Sequence, residues 1–266
     1  MTESGHSFRP ETLVAIEAVK RALTIAQRGV GAGEVTAKGG RDLVTVADVE
    51  VEDAVRSIVA DALSFSVIGE ERGGEVSADG SPYWLVDPIC GTRNFASGIP
   101  LYCVNLALVE RDEITVAVVG DPSAGGIDVA EQGRGAWRLK DSARHRLTTC
   151  DDSRTIVIED GKSKGSRRER AARFTAAAIR ADRWDFRSLG TTLASPYVAA
   201  GRIAAYVVFS VSALHAGAGS LLITEAGGVV SDIDGRPWTT DSDSLLGSAN
   251  SRLHEELLDF ARASTS

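Results

Sequence analysis

The chain has 266 residues and a net charge of −8, with 43% hydrophobic and 25% charged residues, a composition typical of soluble globular proteins. This charge argues against general nucleic-acid binding, which relies on basic surface. No apolar window approaches the roughly 18 residues of a membrane span, and the polar N-terminus lacks a signal peptide's apolar core, so we expect a cytoplasmic protein without membrane contact. The three cysteines show no paired spacing and predict no disulfide framework.

The first part of the chain is predicted to hold two helices followed by strands. Apolar residues at three- and four-residue steps predict one helix over 11–28 and a second from Asp48 to about residue 63. The glycine-rich stretch 37–42 between them is predicted to be a mobile loop. Apolar runs bounded by turn residues predict strands at 67–68, 84–89, 101–109, 114–119, 126–130 and 135–139. The last four of these strands are predicted to form an antiparallel meander.

The second part alternates strands and helices. The polar segment 142–153 is expected to join the two parts, which predicts an N-terminal α+β half over 1–150 and a C-terminal α/β half over 151–266. Together the elements indicate a layered α+β fold. The predicted elements of the second half are strand 155–159, helices 168–181 and 191–200, strand 204–209, helix 213–226, strands 229–231 and 245–248, and helix 251–263.

The most informative stretch of the sequence reads YWLVDPICGTRNF. An apolar strand ends in Asp87 before a proline, and a Gly91–Thr92 step leads into a predicted helix. The carboxylate can hold a cation there, while the free N–H groups of Gly91 and Thr92 can hold a phosphate oxygen. Asp48 and Glu70 also lie at the ends of predicted elements. The sequence therefore predicts a metal site assembled from three acids.

These motifs resemble those of the inositol monophosphatase family of metal-dependent phosphatases. The family pattern is a Gly-Glu-Glu turn, then Asp-Pro-Ile-Asp-Gly-Thr-x-Asn-Phe, and later Trp-Asp-x-Ala-Ala-Gly leading into a helix that ends Glu-Ala-Gly-Gly. This chain has counterparts at 69–71, 87–95, 214–219 and 225–228, and the likeness, which includes 187–191, extends over almost its whole length. The resemblance implies an α/β/α/β/α sandwich, a small phosphorylated substrate and a homodimer.

The resemblance also implies roles for the site residues. Glu70, Asp87 and the Ile89 carbonyl would hold the first Mg²⁺, which prefers oxygen ligands. Asp48 and Thr92 would orient and deprotonate the attacking water, with Glu70 as a third catalytic group. The residues that would bind the phosphate or border the substrate are Gly91, Thr92, Gly190 and Thr191.

Two acids of the family pattern are replaced in this chain, by Cys90 and His215. The exchange removes two oxygen ligands from the second metal position and lowers its affinity for Mg²⁺. Either the second site is lost, or Asp87, Cys90 and His215 form a site for Zn²⁺ or another transition metal such as Mn²⁺, or catalysis is lost. The structural alternatives are a small buried residue in a turn for Cys90 and a hydrogen-bonded residue at a helix start for His215.

The same exchanges alter the predicted substrate pocket, and Val208 stands where a third family acid would contact substrate hydroxyls. A pocket without these carboxylates should bind inositol poorly. We therefore predict a metal-dependent phosphomonoesterase acting on a sugar, cyclitol or nucleotide phosphate other than inositol monophosphate. The alternatives are a catalytically impaired homologue that binds a phosphorylated ligand or a protein, and a reaction with Cys90 as nucleophile and His215 as base.

Overall fold

The structure of the chain, a computed structural model, describes residues 7–31, 35–39 and 42–265. Within these ranges the helices are α1 (Pro10–Gly29), α2 (Val46–Ala62), α3 (Thr92–Ala96), α4 (Gly165–Ala181), α5 (Ala194–Ala199), α6 (Ala213–Glu225) and α7 (Ser251–Ala263). The strands are β1 (Val35–Gly39), β2 (Asp42–Thr45), β3 (Ser66–Gly69), β4 (Tyr83–Cys90), β5 (Cys103–Glu110), β6 (Glu113–Asp121), β7 (Gly126–Glu131), β8 (Gly135–Lys140), β9 (Ala143–Arg146), β10 (Thr155–Glu159), β11 (Asp185–Arg187), β12 (Ala205–Val208), β13 (Val229–Ser231) and β14 (Leu245–Ser248).

The strands form a hairpin and two larger sheets. Strands β1 and β2 pair with each other, and β3 to β9 follow one another in a seven-stranded sheet. In that sheet only β3 and β4 are parallel, so the predicted antiparallel meander is present and gains β9 as an extra strand. The second sheet has five strands in the order β11-β10-β12-β14-β13, and β10 is parallel to both of its neighbours.

The side chains of each sheet alternate between two apolar layers. On β4, Val86 packs with α1 and α2, whereas Leu85 packs on the opposite face with α5 and α6. On β10, Val157 packs toward α5 and α6, whereas Ile156 and Ile158 pack with α4 and α7. The order is therefore helices, sheet, helices, sheet, helices, and the predicted α/β/α/β/α sandwich is confirmed.

Helix α6 lies between the two sheets, which explains its composition. Its residues pack with β4 to β6 on one side and with β10, β12 and β14 on the other. A helix buried on both sides has no polar face and carries small residues where neighbours approach closely. At Gly219 an added Cβ would lie 2.4 Å from Ser195 Cβ of α5.

Several predicted boundaries differ from the structure. The predicted loop 37–42 lies mostly in the β1–β2 hairpin, although residues 40–41 are outside the described ranges. Helix α2 begins at Val46 because Thr45 caps it, so Asp48 lies inside the first turn and not before it. The predicted strand 84–89 continues to Cys90, and β9 and β11 were not predicted because neither contains an apolar run. The division into halves near residue 150 stays a prediction.

None of the helices in the described ranges combines the length and the apolar character needed to cross a bilayer.

Candidate active site

The turn between β4 and α3 forms the centre of the site. Pairing with β5 is regular up to Asp87 and resumes only at Cys90, so the strand is irregular where it reaches the site. Gly91 then has a φ of 104°, a left-handed conformation that strongly favours glycine. An added Cβ there would also lie 2.9 Å from the Leu101 carbonyl oxygen and 3.0 Å from Thr191 Cβ. The glycine of the motif is thus required by backbone conformation and by space.

Asp48 is held at the start of α2 by the residue that caps this helix. Its Oδ2 atom accepts hydrogen bonds from the Thr45 amide at 2.7 Å and from the Thr45 hydroxyl at 2.5 Å. The side chain is fully buried. Burial raises the pKa of Asp48 to about 6; the Thr45 hydrogen bonds oppose this, and the negative charges of Glu71 and Asp87 add to it. Asp48 is therefore a carboxylate at neutral pH that can accept a proton.

Thr92 links Asp48 to the β4–α3 turn. Its hydroxyl donates to the Ile89 carbonyl oxygen at 3.1 Å and lies 3.5 Å from Asp48 Oδ1. The predicted pair of water-orienting residues is therefore brought together next to a predicted carbonyl ligand. A hydroxyl that donates its proton to a carbonyl keeps oxygen lone pairs with which it can accept a hydrogen bond from a water molecule.

Glu52 holds the turn that carries Glu70, and the sequence motifs do not reveal this residue. Glu52 is fully buried on α2. Its carboxylate accepts from the amides of Glu71 at 2.6 Å and Arg72 at 3.0 Å, and from Arg56 Nε at 2.8 Å. The turn that carries Glu70 is thus fixed to α2, the helix that also carries Asp48. The four-residue spacing of Asp48 and Glu52, which places both acids on one helix face, was the available signal.

Gly190 and Thr191 are held in place by a second set of hydrogen bonds. Glu159 accepts from the amides of Leu189 at 2.5 Å and Gly190 at 2.8 Å, and the Thr191 hydroxyl donates to the Cys90 carbonyl at 2.8 Å. Through these contacts the C-terminal part of the chain is attached to the β4–α3 turn. Glu159 was also missed from the sequence, because it belongs to no motif and only its place at a strand end could have suggested it.

His215 lies at the start of α6 and contacts Asp87. Its Nδ1 atom is 2.6 Å from Asp87 Oδ2, and the ring is one-third exposed. Burial alone would lower the pKa of His215, but the Asp87 carboxylate outweighs it and raises the pKa above the usual range. The structure therefore pairs an imidazolium with a buried carboxylate.

Cys90 lies at the end of β4, close to Asp87 and His215. The Thr192 hydroxyl and amide lie 3.0 and 3.3 Å from its sulfur. A hydrogen bond with Cys103, together with burial and the Asp87 charge, raises the pKa of Cys90 well above its ordinary value. A thiol of this kind is not activated as a nucleophile, and His215 Nδ1 contacts Asp87. We therefore do not propose the Cys90–His215 reaction.

A single cavity of about 390 Å³ brings most of the predicted site residues together. A neighbouring cavity of about 610 Å³ shares part of this lining. Asp48 reaches the site through Thr92 and does not itself line the cavity. The predicted residues that line the smaller cavity are Glu70, Asp87, Ile89, Cys90, Gly91, Thr92, Gly190, Thr191 and His215, and Val208 lines it as well.

The layered sandwich defines a class of proteins with solved structures. The suhB extragenic suppressor protein of Bartonella henselae superposes with a TM-score of 0.86, covering 96% of this chain and 99% of its own at 24% identity. A Thermotoga maritima IMPase gives a TM-score of 0.82, with 94% and 96% coverage at 25% identity. These likenesses establish the fold.

Sequence relatives give the family. The profile of the inositol monophosphatase family matches residues 9–266, and the chain belongs to this family of phosphatases. It is 33% identical to an inositol-1-monophosphatase of Mesorhizobium japonicum over 80% of both chains. It is also 30% identical to the Nus factor SuhB of Haemophilus influenzae over 96% of this chain and 97% of that protein.

Proposed function

We propose that the protein is a metal-dependent phosphomonoesterase that hydrolyses a small phosphorylated metabolite. The observation that carries this proposal is the contact of Thr92 with both Asp48 and the Ile89 carbonyl, beside the buried carboxylate of Asp87. In-line attack on a phosphate ester requires a positioned water, a proton acceptor and cationic charge. Asp48 and Thr92 would orient the water, and Asp48 would take its proton.

Mg²⁺ is the cofactor that the oxygen donors fit. Asp87 Oδ1 is buried and has no hydrogen-bond partner within the described part of the chain, which suits a cation ligand. Glu70, Asp87 and the Ile89 carbonyl would hold Mg²⁺, and the ion would neutralise charge on the transferred phosphate. Zn²⁺ or Mn²⁺ is the alternative ion for a site that includes Asp87, Cys90 and His215. Gly91 and Thr92 would bind the phosphate.

The leaving group would occupy the space beside Gly190 and Thr191. Val208 is 3% exposed and lines this space, so an apolar side chain faces the place of a family carboxylate. A polyol buried there would lose hydrogen-bond partners for its hydroxyls. We therefore propose a sugar, cyclitol or nucleotide phosphate other than inositol monophosphate as substrate. The adjoining larger cavity offers room for a bulky leaving group.

The second candidate is a homologue with impaired catalysis that binds a phosphorylated ligand or a protein. The observation that favours it is the pair Cys90 and His215, which replaces two carboxylates. The name of the Haemophilus relative, Nus factor SuhB, also describes a role other than hydrolysis. A homodimer and a cytoplasmic location remain predictions.

Phosphate release distinguishes the two candidates. The assay uses a panel of phosphate monoesters that includes inositol 1-phosphate, with Mg²⁺, Mn²⁺ or Zn²⁺ as the added ion. Metal-dependent release is expected, with inositol 1-phosphate a poor substrate. A double variant, Cys90→Asp with His215→Asp, should raise turnover in Mg²⁺ because it adds two oxygen ligands. A folded protein without turnover in either form would favour the binding role.

A further inference from the structure

Three side chains in the cavity offer one oxygen, one sulfur and one nitrogen donor. Ligand atoms of Asp87, Cys90 and His215 all lie within 4.8 Å of one another. We propose that these residues form a zinc-selective site with three protein ligands and a fourth position open to the cavity. The proposal rests on the proposed function only in that a substrate phosphate oxygen would fill the fourth position during turnover.

The buried carboxylate of Asp87 provides the first argument. Its Oδ2 atom is 2.6 Å from His215 Nδ1 and 3.5 Å from Asn105 Nδ2. Its Oδ1 atom is buried and has no partner among the residues that the structure describes. An unpaired buried carboxylate oxygen is costly, and a cation bound to Oδ1 would remove that cost.

The surroundings of the sulfur provide the second argument. The Thr192 hydroxyl donates to Cys90 Sγ at 3.0 Å, and the Thr192 amide does so at 3.3 Å. The same hydroxyl accepts from Asn105 Nδ2 at 3.0 Å, which fixes its direction. Two donors aimed at one sulfur would stabilise the negative charge that the sulfur takes on when a metal ion displaces its proton. Thr192 is thus a positioning residue for the metal ligand.

The spacing of the three donors fits zinc after a small movement. Bond lengths of about 2.0 to 2.3 Å to nitrogen, oxygen and sulfur place the ligands of tetrahedral zinc roughly 3.3 to 3.8 Å apart. The three ligand atoms lie within 4.8 Å of one another, and the 2.6 Å between Asp87 Oδ2 and His215 Nδ1 is shorter than the spacing of two zinc ligands. The His215 ring is one-third exposed, so it has room to move away from Asp87 when a metal ion binds. On binding, zinc forms bonds to sulfur, nitrogen and oxygen, and the protons of the thiol and the imidazolium leave to water.

The donor chemistry separates zinc from magnesium. Mg²⁺ prefers six oxygen ligands in an octahedron, whereas Zn²⁺ accepts thiolate, imidazole and carboxylate ligands and is usually four-coordinate. Two of the three donors here are soft or borderline. Three protein ligands with an open position are typical of catalytic zinc sites, whereas structural zinc sites are closed by four.

Metal binding can be tested without an activity assay. The full chain is stripped with chelator and titrated with Co²⁺, whose bond to a thiolate produces a charge-transfer absorption, and Zn²⁺ then displaces the cobalt. We expect one equivalent of Co²⁺ with the thiolate band, displacement by Zn²⁺, and no displacement by a 1,000-fold excess of Mg²⁺. Cobalt binding without the band, or equal competition by Mg²⁺, would overturn the proposal.

Variants identify the ligands. Cys90→Ser should lose the band, whereas Cys103→Ser and Cys150→Ser serve as matched controls and should keep it. Thr192→Val should weaken zinc binding by about 10-fold through loss of the hydroxyl donor, and Thr192→Ser should restore it. The thermal unfolding of each metal-free variant confirms that it is folded. Unchanged zinc affinity in Cys90→Ser would refute the site.

The outcome is separable from that of the proposed function. Turnover in Mg²⁺ with no thiolate–metal band would overturn the zinc site and leave the phosphatase standing. A zinc complex without phosphate release would support the zinc site and count against the phosphatase.

Discussion

The two carboxylate oxygens of Asp48 have different contacts. The Thr45 amide and hydroxyl occupy Oδ2, which leaves Oδ1 to face the Thr92 hydroxyl at 3.5 Å. One oxygen therefore holds the side chain in place while the other faces the site. A carboxylate whose pKa is raised to about 6 by burial is a stronger base than an exposed one and is still ionised at neutral pH.

Replacing Asp48 with Asn should remove the base and preserve the shape of the side chain. We expect kcat to fall by about 100-fold or more, because general base catalysis contributes at least that much. In the wild type, kcat/KM should rise with pH through an ionisation at or below about 6, since only the carboxylate accepts a proton and a bound cation lowers the pKa further. Asp48→Asn should lack this acidic limb.

The control for this experiment lies on the same helix. Asp53 is half-exposed and pairs with Arg72 at the surface, so Asp53→Asn should keep the wild-type pH profile. If Asp48→Asn retained wild-type kcat/KM, Asp48 would not be the base.

A substitution at Val208 should change which substrate the protein prefers. Val208→Glu places a carboxylate where substrate hydroxyls are expected, so kcat/KM for inositol 1-phosphate should rise about 10-fold or more relative to a less hydroxylated phosphate ester. Val208→Leu, which adds volume without charge, is the matched control and should not produce this shift. Parallel changes for both substrates in Val208→Glu would contradict the predicted role of the pocket wall.

At the scale of elements, α2 orients two parts of the site at once. Its first turn holds Asp48, and one turn further Glu52 accepts the amides of Glu71 and Arg72. The helix therefore sets the distance between Asp48, the predicted water-orienting acid, and the turn that carries Glu70. A tilt of α2 would move both together, so the predicted base and the predicted metal ligand keep their spacing.

Glu52→Gln should loosen this connection. The amide has one acceptor atom where the carboxylate has two, so one of the two backbone N–H groups would lose its partner at a cost of about 1–3 kcal/mol. The Mg²⁺ concentration needed for half-maximal activity should rise several-fold because Glu70 is held less firmly. Glu50→Gln, an exposed change on the same helix, should leave the Mg²⁺ dependence unaltered. An unchanged Mg²⁺ requirement in Glu52→Gln would mean that the turn is fixed by other contacts.

Local features of the site follow from the sequence, whereas its long-range contacts do not. Motif residues such as Asp87, Gly91 and Thr92 were predictable because an acid, a proline and a glycine in sequence have local consequences. Long-range partners were not: Thr192 meets Cys90 across 102 positions, and Glu52 meets Glu71 across 19. Register and packing determine such contacts, and periodicity carries no information about them.

At the scale of the whole molecule, the site depends on both sheets. Strand β4 of the seven-stranded sheet carries Asp87 and Cys90, and α6 carries His215. Helix α6 packs against both sheets, so its position determines whether the donors of the two parts of the chain meet. The cavity is therefore expected to form only when the layers are assembled together.

Gly219 tests this dependence on layer packing. Alanine usually stabilises a helix by about 1 kcal/mol over glycine, but here its Cβ would lie 2.4 Å from Ser195 Cβ and 2.5 Å from Ser195 Oγ. Overpacking costs about 1–3 kcal/mol, so Gly219→Ala should lower the free energy of unfolding in urea by up to about 2 kcal/mol. Hydrogen exchange should accelerate in β5 and β12 alike, because α6 packs against both sheets. Adding Ser195→Gly removes the obstructing atoms and should make Gly219→Ala neutral or stabilising in that background. Faster exchange confined to one sheet would show that the two sheets unfold independently.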